Sequence, residues 1–176
     1  MTLILSKKYN PLFDSKARYF IITGGRGSGK SFAVTVFLTL LTMSRGIRVL
    51  FTRFTMTSAH LSIIPEFLEK IGLLGFDETF NINKSEVVNA KNKSDILFRG
   101  IKTSAGNQTA SLKSLQGIST WVLDEAEELV DENIFDTIDL SIREKKVQNR
   151  IILVLNPVTK EHWIYKRFFE DKGIEG

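Results

Sequence analysis

The sequence predicts an α/β fold in which a mostly parallel central sheet is covered by helices. Apolar, strand-like runs alternate along the chain with segments of helical period, which is typical of such sheets. A glycine-rich loop follows the first run, and a pair of carboxylates follows a later one. A small antiparallel meander is predicted around residues 79–98. With 176 residues, close to the prior of about 150 per domain, residues 1–176 are expected to form a single domain.

The composition is that of an ordinary globular domain. Hydrophobic residues make up 43% of the chain and charged residues 25%. No apolar run approaches the roughly 20 residues of a membrane span, so no membrane partner is expected. The chain has no cysteine, which excludes disulfides and thiolate metal sites. Its formal net charge of +4 permits contact with nucleic acid, although no long basic run indicates a dedicated arm.

The loop at residues 24–31 is the most specific motif of the chain. It follows a strand predicted at Tyr19–Thr23 and opens a helix predicted from about Gly29 to Ser44. That context is the one required of the Walker A pattern G-x-x-x-x-G-K-[ST], and it disfavours an ordinary glycine-rich turn. Glycines let the backbone turn its N–H groups toward phosphate oxygens. The residues predicted to bind a nucleoside triphosphate are Gly24, Gly25, Arg26, Gly27, Ser28, Gly29, Lys30, Ser31 and Phe32.

The second half of the predicted site follows the apolar strand Thr120–Leu123. The carboxyl ends of parallel strands meet at the edge of a sheet where ligands bind. Asp124 is predicted to hold Mg²⁺ together with the Ser31 hydroxyl, and Lys30 to contact the β- and γ-phosphates in a catalytic role. Glu125 is predicted to be the general base that activates the attacking water.

An acidic first helical turn, favoured by the helix dipole, is the alternative explanation of the run Asp124–Glu128. The upstream loop and strand disfavour it for the first two carboxylates. It is retained for Glu127 and Glu128.

The nucleotide is predicted to be ATP rather than GTP. The segment Asn92–Asp95 has the pattern N-K-x-D that reads guanine in G proteins, where it follows the metal-binding strand. Here it precedes that strand and lies in a polar turn of the meander. The context test therefore fails.

Asn156 and three arginines complete the set of candidates. Asn156 follows a strand predicted at Arg150–Leu155. It could contact the γ-phosphate or the attacking water, or it could belong to a plain Asn-Pro turn, and the two interpretations weigh equally. Arg26, inside the loop, is the best candidate to stabilise transferred charge in cis. For Arg53 and Arg99 a solvated or ion-paired role is at least as plausible.

Five further elements are predicted from the pattern. They are a lead-in turn at Tyr9–Lys16, a strand at Arg48–Thr55, a helix capped by Thr57-Ser58 and running to about Ile71, a helix over residues 131–143 and a final helix over residues 160–170.

These motifs together resemble the ATPase domain of the large terminase subunit of tailed bacteriophages, over essentially the whole chain. The ordered set carries the resemblance. It comprises the loop at 24–31, the strand with Arg53, Phe98-Arg99-Gly100, Leu112-Lys113-Ser114, Trp121–Glu128, and Asn156-Pro157 followed by His162-Trp163-Ile164-Tyr165-Lys166.

The resemblance implies a RecA-like fold of the additional-strand, catalytic-glutamate class. It implies that Arg26 is an arginine finger in cis and that Asn156 belongs to a coupling motif. It also implies that Tyr9 and Phe13 contribute to adenine binding. Family members continue into a nuclease domain, so these 176 residues are expected to be the ATPase domain without DNA cleavage.

The function implied is ATP hydrolysis, dependent on Mg²⁺, that drives double-stranded DNA into a viral procapsid. The expected partners are duplex DNA bound without sequence preference, a portal protein, a small terminase subunit and further copies of the chain in a ring. The expected location is the cytoplasm of the host cell. The alternatives are another RecA-like nucleic-acid motor, such as a helicase or recombinase, and a small-molecule kinase or nucleotide-binding regulator that shares only the loop.

Overall fold

The computed structural model describes residues 5–56, 61, 63–103, 106–107 and 109–170. Eight strands lie in this part of the chain: β1 Tyr19–Thr23, β2 Arg48–Thr55, β3 Phe80–Ile82, β4 Glu86–Asn89, β5 Asp95–Thr103, β6 Gly106–Asn107, β7 Thr120–Asp124 and β8 Arg150–Leu155. The helices there are α1 Asn10–Asp14, α2 Lys30–Leu41, α3 Ile63–Leu73, α4 Thr109–Lys113, α5 Glu132–Asp139 and α6 Trp163–Tyr165.

The strands form one sheet in the order β1-β8-β7-β2-β5-β4-β3, with β6 paired to β5. The five strands from β1 to β5 in this order are parallel to one another. The pairs β5-β4 and β4-β3 are antiparallel. Strand β8 lies between β1, which leads into the glycine-rich loop, and β7, which carries the predicted carboxylates. It is the additional strand that the predicted fold class requires.

Both faces of the central strands are buried, which explains their continuous apolar sequences. On one face, Val122 and Ile152 pack in a cluster with side chains of α1, α2 and α3. On the other, Trp121, Leu123 and Ile151 pack with side chains of α4, α5 and α6. The sheet therefore has helices on both sides, as predicted.

The meander is antiparallel as predicted, but its last strand continues further than the pattern indicated. Strand β5 runs past the predicted end of the meander at residue 98 to Thr103, and it pairs in parallel with β2, beginning with Arg48 opposite Asp95. The hairpin to β6 and the helix α4 follow it. Pairing with β5 covers an edge that β2 would otherwise leave open.

Several predicted boundaries are corrected by capping. The lead-in turn at Tyr9–Lys16 contains the short helix α1, because Pro11 in its first turn is compatible with a helix start. The final helical segment begins at Trp163, where the side chain of His162 caps it, and continues as a π-helical turn from Lys166 to Glu170.

Two of the longer predicted helices begin or end elsewhere. The helix predicted from about Gly29 to Ser44 ends at Leu41, and the one predicted over residues 131–143 covers Glu132–Asp139. Pro65 lies in the first turn of α3. The predicted cap Thr57-Ser58 lies outside the described residues. In the described part of the chain no helix has the length and apolarity to span a membrane.

The N-K-x-D segment has a structural role at the far end of α2. The side-chain amide of Asn92 donates to the carbonyl oxygens of Thr42 and Met43, both at 3.0 Å, and so caps the end of that helix. The glycine-rich loop precedes the other end of the same helix, which is about 18 Å away at 1.5 Å per residue. The segment is therefore remote from the glycine-rich loop.

Candidate functional site

A cavity of about 370 Å³ lies where β1, β7 and β8 end, between the glycine-rich loop and the residues that follow β7. Ligands of open parallel sheets bind at this edge. The cavity is lined by Arg26, Gly27, Ser28, Gly29, Lys30, Ser31, Phe32, Arg53, Asp124, Glu125, Glu127, Val154, Leu155 and Asn156. It thus brings together most of the loop, both predicted carboxylates and Asn156.

The loop adopts backbone angles that require glycine at two of its positions. Gly27 and Gly29 have φ of +75° and +81°, in the left-handed region that residues with a Cβ rarely adopt. Gly29 is the residue before α2, so the loop delivers the first turn of that helix to the cavity. Free N–H groups at a helix start attract anions such as phosphate.

Lys30 joins the loop to the end of β8. Its ammonium group donates to the carbonyl oxygens of Gly24 and Gly25, the latter at 3.0 Å, and lies 3.4 Å from the side-chain oxygen of Asn156. Asn156 is therefore next to the residue predicted to contact the phosphates. This position is the one required by a role in sensing phosphate, which the sequence left open against a plain turn.

Tyr9 and Phe13, the residues implied in adenine binding, do not line this cavity. The Tyr9 hydroxyl donates to the carbonyl oxygen of Ser28 at 2.9 Å, beside a contact from Lys8 to the same oxygen. Phe13 packs edge-on against Phe37, with ring centroids 5.1 Å apart. In this structure Tyr9 supports the outer side of the loop, and contact with adenine remains a prediction for both residues.

Asp124 forms an ion pair with Arg53. Both Nε and Nη2 of the guanidinium lie 2.8 Å from the Oδ2 atom of Asp124, whose side chain is only 9% exposed. The two residues are direct neighbours across β2 and β7. Of the interpretations given for Arg53, the structure shows the ion pair, which holds the predicted metal-binding carboxylate at the cavity.

Glu125 leaves β7 in a strained conformation. Its φ of 51° and ψ of 46° are left-handed, and a 3₁₀ turn, Ala126–Glu128, follows instead of a continuous α-helix. Glutamate costs about 1 kcal/mol or more in that conformation, and such strain concentrates at functional sites. The turn places Glu125 on the cavity wall, half-buried.

Glu127 is the residue that the sequence interpretation missed. Its Oε1 atom accepts a hydrogen bond from the side-chain amide of Asn156 at 2.9 Å, and its carbonyl oxygen lies 3.0 Å from Nε2 of His162. The sequence showed only an acidic residue near a helix start, and no local signal connects it with position 156. Glu128, beside it, is exposed, and its pKa is raised by desolvation and then by the carboxylates of Glu125 and Glu127.

Of the three candidate arginines, two share the cavity. Arg26 lies on it with an exposed side chain, and Arg53 lines it from β2. Arg99 instead donates to the carbonyl oxygens of Ser85 and Phe98, on the meander. Arg99 is therefore not part of this site.

The residues predicted to hold Mg²⁺ fit that ion in their chemistry. Ser31 and Asp124 line the same cavity and supply hard oxygen donors. Within the described ranges, no group of three or more His, Cys, Asp or Glu side chains forms a protein-only metal cage. Mg²⁺ usually binds through one or two protein oxygens and completes its coordination with substrate phosphates and water.

Comparison with known proteins identifies the family. The sequence model of the phage terminase large subunit family matches residues 16–175. This chain belongs to that family. The resemblance drawn from the motifs is thereby confirmed. A search of curated protein sequences gave no significant match.

Solved structures of terminases share the fold. A large terminase from a thermophilic bacteriophage is 13% identical and superposes with a TM-score of 0.70 over 97% of this chain and 43% of that one. The bacteriophage Phi-29 genome packaging motor is 16% identical and has a TM-score of 0.65, over 99% of this chain and 52% of that one. The large terminase ATPase domain of Thermus phage P74-26 is 16% identical and has a TM-score of 0.61, over 94% of this chain and 74% of that one. The chain thus spans less than half of that first terminase, and these matches confirm the predicted RecA-like fold.

Proposed function

We propose that this chain hydrolyses ATP and that hydrolysis drives double-stranded DNA into a viral procapsid. One observation carries the proposal: a single cavity brings the phosphate-binding loop together with Asp124, Glu125 and Asn156. A loop alone would support binding, whereas carboxylates across from it also support hydrolysis. Family membership supports DNA packaging as the work performed.

Each residue of the cavity has a defined part in the proposed reaction. The N–H groups of the loop and the Lys30 ammonium hold the phosphate oxygens, and the Glu125 carboxylate accepts a proton from the attacking water. Arg26 stabilises the negative charge that develops on the transferred phosphoryl group. Mg²⁺, held by Ser31 and Asp124, would neutralise charge on the phosphates.

The identity of the nucleotide is supported by two observations. A related large terminase has been solved in complex with ADP and another crystal of it with ATP-γ-S. The N-K-x-D segment that would read guanine is held at the opposite end of α2. ATP, with Mg²⁺, is therefore the proposed substrate.

The proposed partners follow from the family. They are duplex DNA, a portal protein, a small terminase subunit and further copies of this chain in a ring, in the cytoplasm of an infected host cell. Relatives solved as genome packaging motors support an assembled state. Cleavage of DNA by these 176 residues is not part of the proposal.

The substitution Glu125→Gln tests the hydrolytic role. We expect turnover of ATP, measured as phosphate release, to fall by about a hundredfold or more, because a positioned general base contributes that much. Binding of a fluorescent ADP analogue should change little, since the loop is intact. Glu128→Gln is the matched control, because it removes an exposed carboxylate three residues away and should leave turnover unchanged. Unchanged turnover in Glu125→Gln would remove the base from the mechanism.

A DNA-binding measurement on the same proteins tests the partner. Affinity for duplex DNA should be equal in wild type and Glu125→Gln, independent of sequence, and should fall steeply as salt increases, because phosphate contacts release counterions. An affinity insensitive to salt would contradict the packaging role. ATP-dependent unwinding of a forked duplex would instead indicate a helicase.

A further inference from the structure

Glu127 connects three parts of the molecule: the turn after Glu125, the end of β8 and the start of α6. Its carboxylate binds the side chain of Asn156 at the end of β8, and its carbonyl oxygen contacts the ring of His162 before α6. The residue lies in the 3₁₀ turn that begins one position after Glu125. A movement of this turn would therefore displace both Asn156 at the cavity and His162 at the start of α6.

The contact with Glu127 determines which way the Asn156 amide points. A carboxylate only accepts hydrogen bonds, so it selects the NH₂ group of the amide, and the Nδ2 atom of Asn156 lies 2.9 Å from Oε1. The amide oxygen then faces the other way, 3.4 Å from the Lys30 ammonium, which can only donate. Lys30 and Glu127 thus specify the same orientation from opposite sides.

His162 is held in one tautomer. Its Nδ1 atom accepts from the backbone N–H of Ile164 at 3.1 Å, so in the neutral ring the proton is on Nε2, which donates to the carbonyl oxygen of Glu127 at 3.0 Å. The indole N–H of Trp163 adds a bond to the Leu129 carbonyl oxygen at 2.6 Å. The start of α6 is therefore bound to the segment that contains Glu127.

The other carboxylate oxygen of Glu127 argues against a purely structural role. Oε2 is buried and has no hydrogen-bond donor among the residues that the structure describes. A buried carboxylate oxygen without a donor costs stability, and such groups in native proteins call for an explanation in terms of function.

We propose that Glu127 is a positioning residue of the ATPase site: it fixes the Asn156 amide with its oxygen toward Lys30 and links that amide to α6 through His162. The inference rests on the proposed ATP hydrolysis. Glu127 acts through Asn156, and the hydrogen bond that it accepts, rather than its ability to take up a proton, is what the site uses.

Steady-state kinetics of four variants test this role: Glu127→Ala, Glu127→Gln, Asn156→Ala and the double alanine variant. We expect kcat to fall about tenfold in Glu127→Ala, the effect of one hydrogen bond between an amide and a charged group, with KM within about threefold. The double variant should be no slower than Asn156→Ala alone, because both changes remove the same contact. Glu127→Gln keeps an acceptor for Asn156 and should restore most of the rate.

The opposite outcomes overturn the proposal. Additive losses in the double variant would show that Glu127 acts independently of Asn156. A Gln variant as slow as the Ala variant would show that Glu127 takes up a proton itself. Unfolding of Glu127→Ala at the assay temperature that accounts for its lost activity would show a structural role. We expect the variant to stay folded there, because removal of the unpaired oxygen offsets part of the lost hydrogen bond to Asn156.

A nucleotide-free measurement separates this inference from the proposed function. If wild-type protein neither binds nor hydrolyses ATP, the proposed function fails. The side-chain NH₂ resonances of Asn156 in the NMR spectrum still report its orientation. We expect them to be well separated from those of exposed Asn side chains in the wild type and to move toward exposed values in Glu127→Ala. Resonances that do not respond to Glu127→Ala contradict the positioning role.

Discussion

Strand β2 carries an arginine near each end, and each pairs with an aspartate on a neighbouring strand. At the amino end, Arg48 faces Asp95 on β5, with guanidinium-to-carboxylate distances of 3.2 to 3.3 Å. At the carboxyl end, Arg53 faces Asp124 on β7 at 2.8 Å. The two carboxylates are similarly buried, with side chains 11% and 9% exposed.

The surroundings of the two pairs differ. Arg48 also donates to the carbonyl oxygen of Gln116, so it binds the segment that precedes β7 to the amino edge of the sheet. Arg53 and Asp124 open onto the cavity that contains Lys30. The ends of β2 that carry the arginines are roughly 16 Å apart at 3.3 Å per residue. The same pair of residue types is therefore structural at one edge and part of the site at the other, because only the carboxyl edge receives the phosphate-binding loop.

Removing each carboxylate should give the largest contrast. Asp124→Asn removes the acidic residue predicted to hold Mg²⁺, and we expect ATP turnover to fall by about a hundredfold or more, since metal-assisted charge stabilisation provides several kcal/mol. Asp95→Asn should keep turnover within about twofold. Phosphate release measured over a range of Mg²⁺ concentrations checks both. Equal turnover in the two variants would show that Asp124 has no role in hydrolysis that Asp95 lacks.

Removing each arginine separates stability from activity. Arg53→Ala leaves the nearly buried Asp124 without its cation, so we expect a loss of about 2 kcal/mol or more in unfolding free energy together with slower turnover. Arg48→Ala should cost less, about 1 kcal/mol, because the Arg48 side chain is 39% exposed against 23% for Arg53 and its contact is longer, 3.2 Å against 2.8 Å. Turnover should not change. Urea unfolding and phosphate release on the same samples provide the two numbers. A loss of turnover in Arg48→Ala would contradict the assignment.

The smallest expected effect is the dependence of stability on pH through Asp95. Burial raises the pKa of Asp95 above its ordinary value of 3.8, although the hydrogen bond from Arg48 opposes the change. The folded protein therefore binds this proton more readily than the unfolded chain. The stabilisation from this group is full below pH 3.8 and is lost as the pH rises through the raised pKa.

Urea unfolding of wild type and Asp95→Asn at several pH values checks the sign. The unfolding free energy of the wild type should fall relative to that of Asp95→Asn as the pH rises from 3.8 through the raised pKa. A pKa below 3.8 in an NMR titration would contradict the direction.

Three of the parallel strands could be predicted from local pattern alone. The ranges Tyr19–Thr23, Arg48–Thr55 and Arg150–Leu155 are observed with the predicted bounds. Each is a run rich in apolar and β-branched residues that ends at polar or glycine-containing segments, so its boundaries are local properties. The pairing of β5 with β2 is not local, because an alternating pattern does not say which strand edge it meets.

The site divides in the same way. The loop at residues 24–31 and the carboxylates at the end of β7 could be found because their order along the chain is a motif with a mechanism. The contacts of Arg53 with Asp124 and of Glu127 with Asn156 join residues 71 and 29 positions apart. They depend on which strands become neighbours in the sheet, and that information is absent from any window of the sequence.

The left-handed backbone at Glu125 matters for anyone who selects heat-resistant variants of this protein. Glycine occupies that conformation without the penalty of about 1 kcal/mol or more that a side chain incurs. A screen that scores only survival after heating would therefore enrich Glu125→Gly and discard the carboxylate that we propose as the general base. On the proposed mechanism, the most heat-resistant sequence and the most active one differ at this residue, so directed evolution of the domain has to select for turnover in every round.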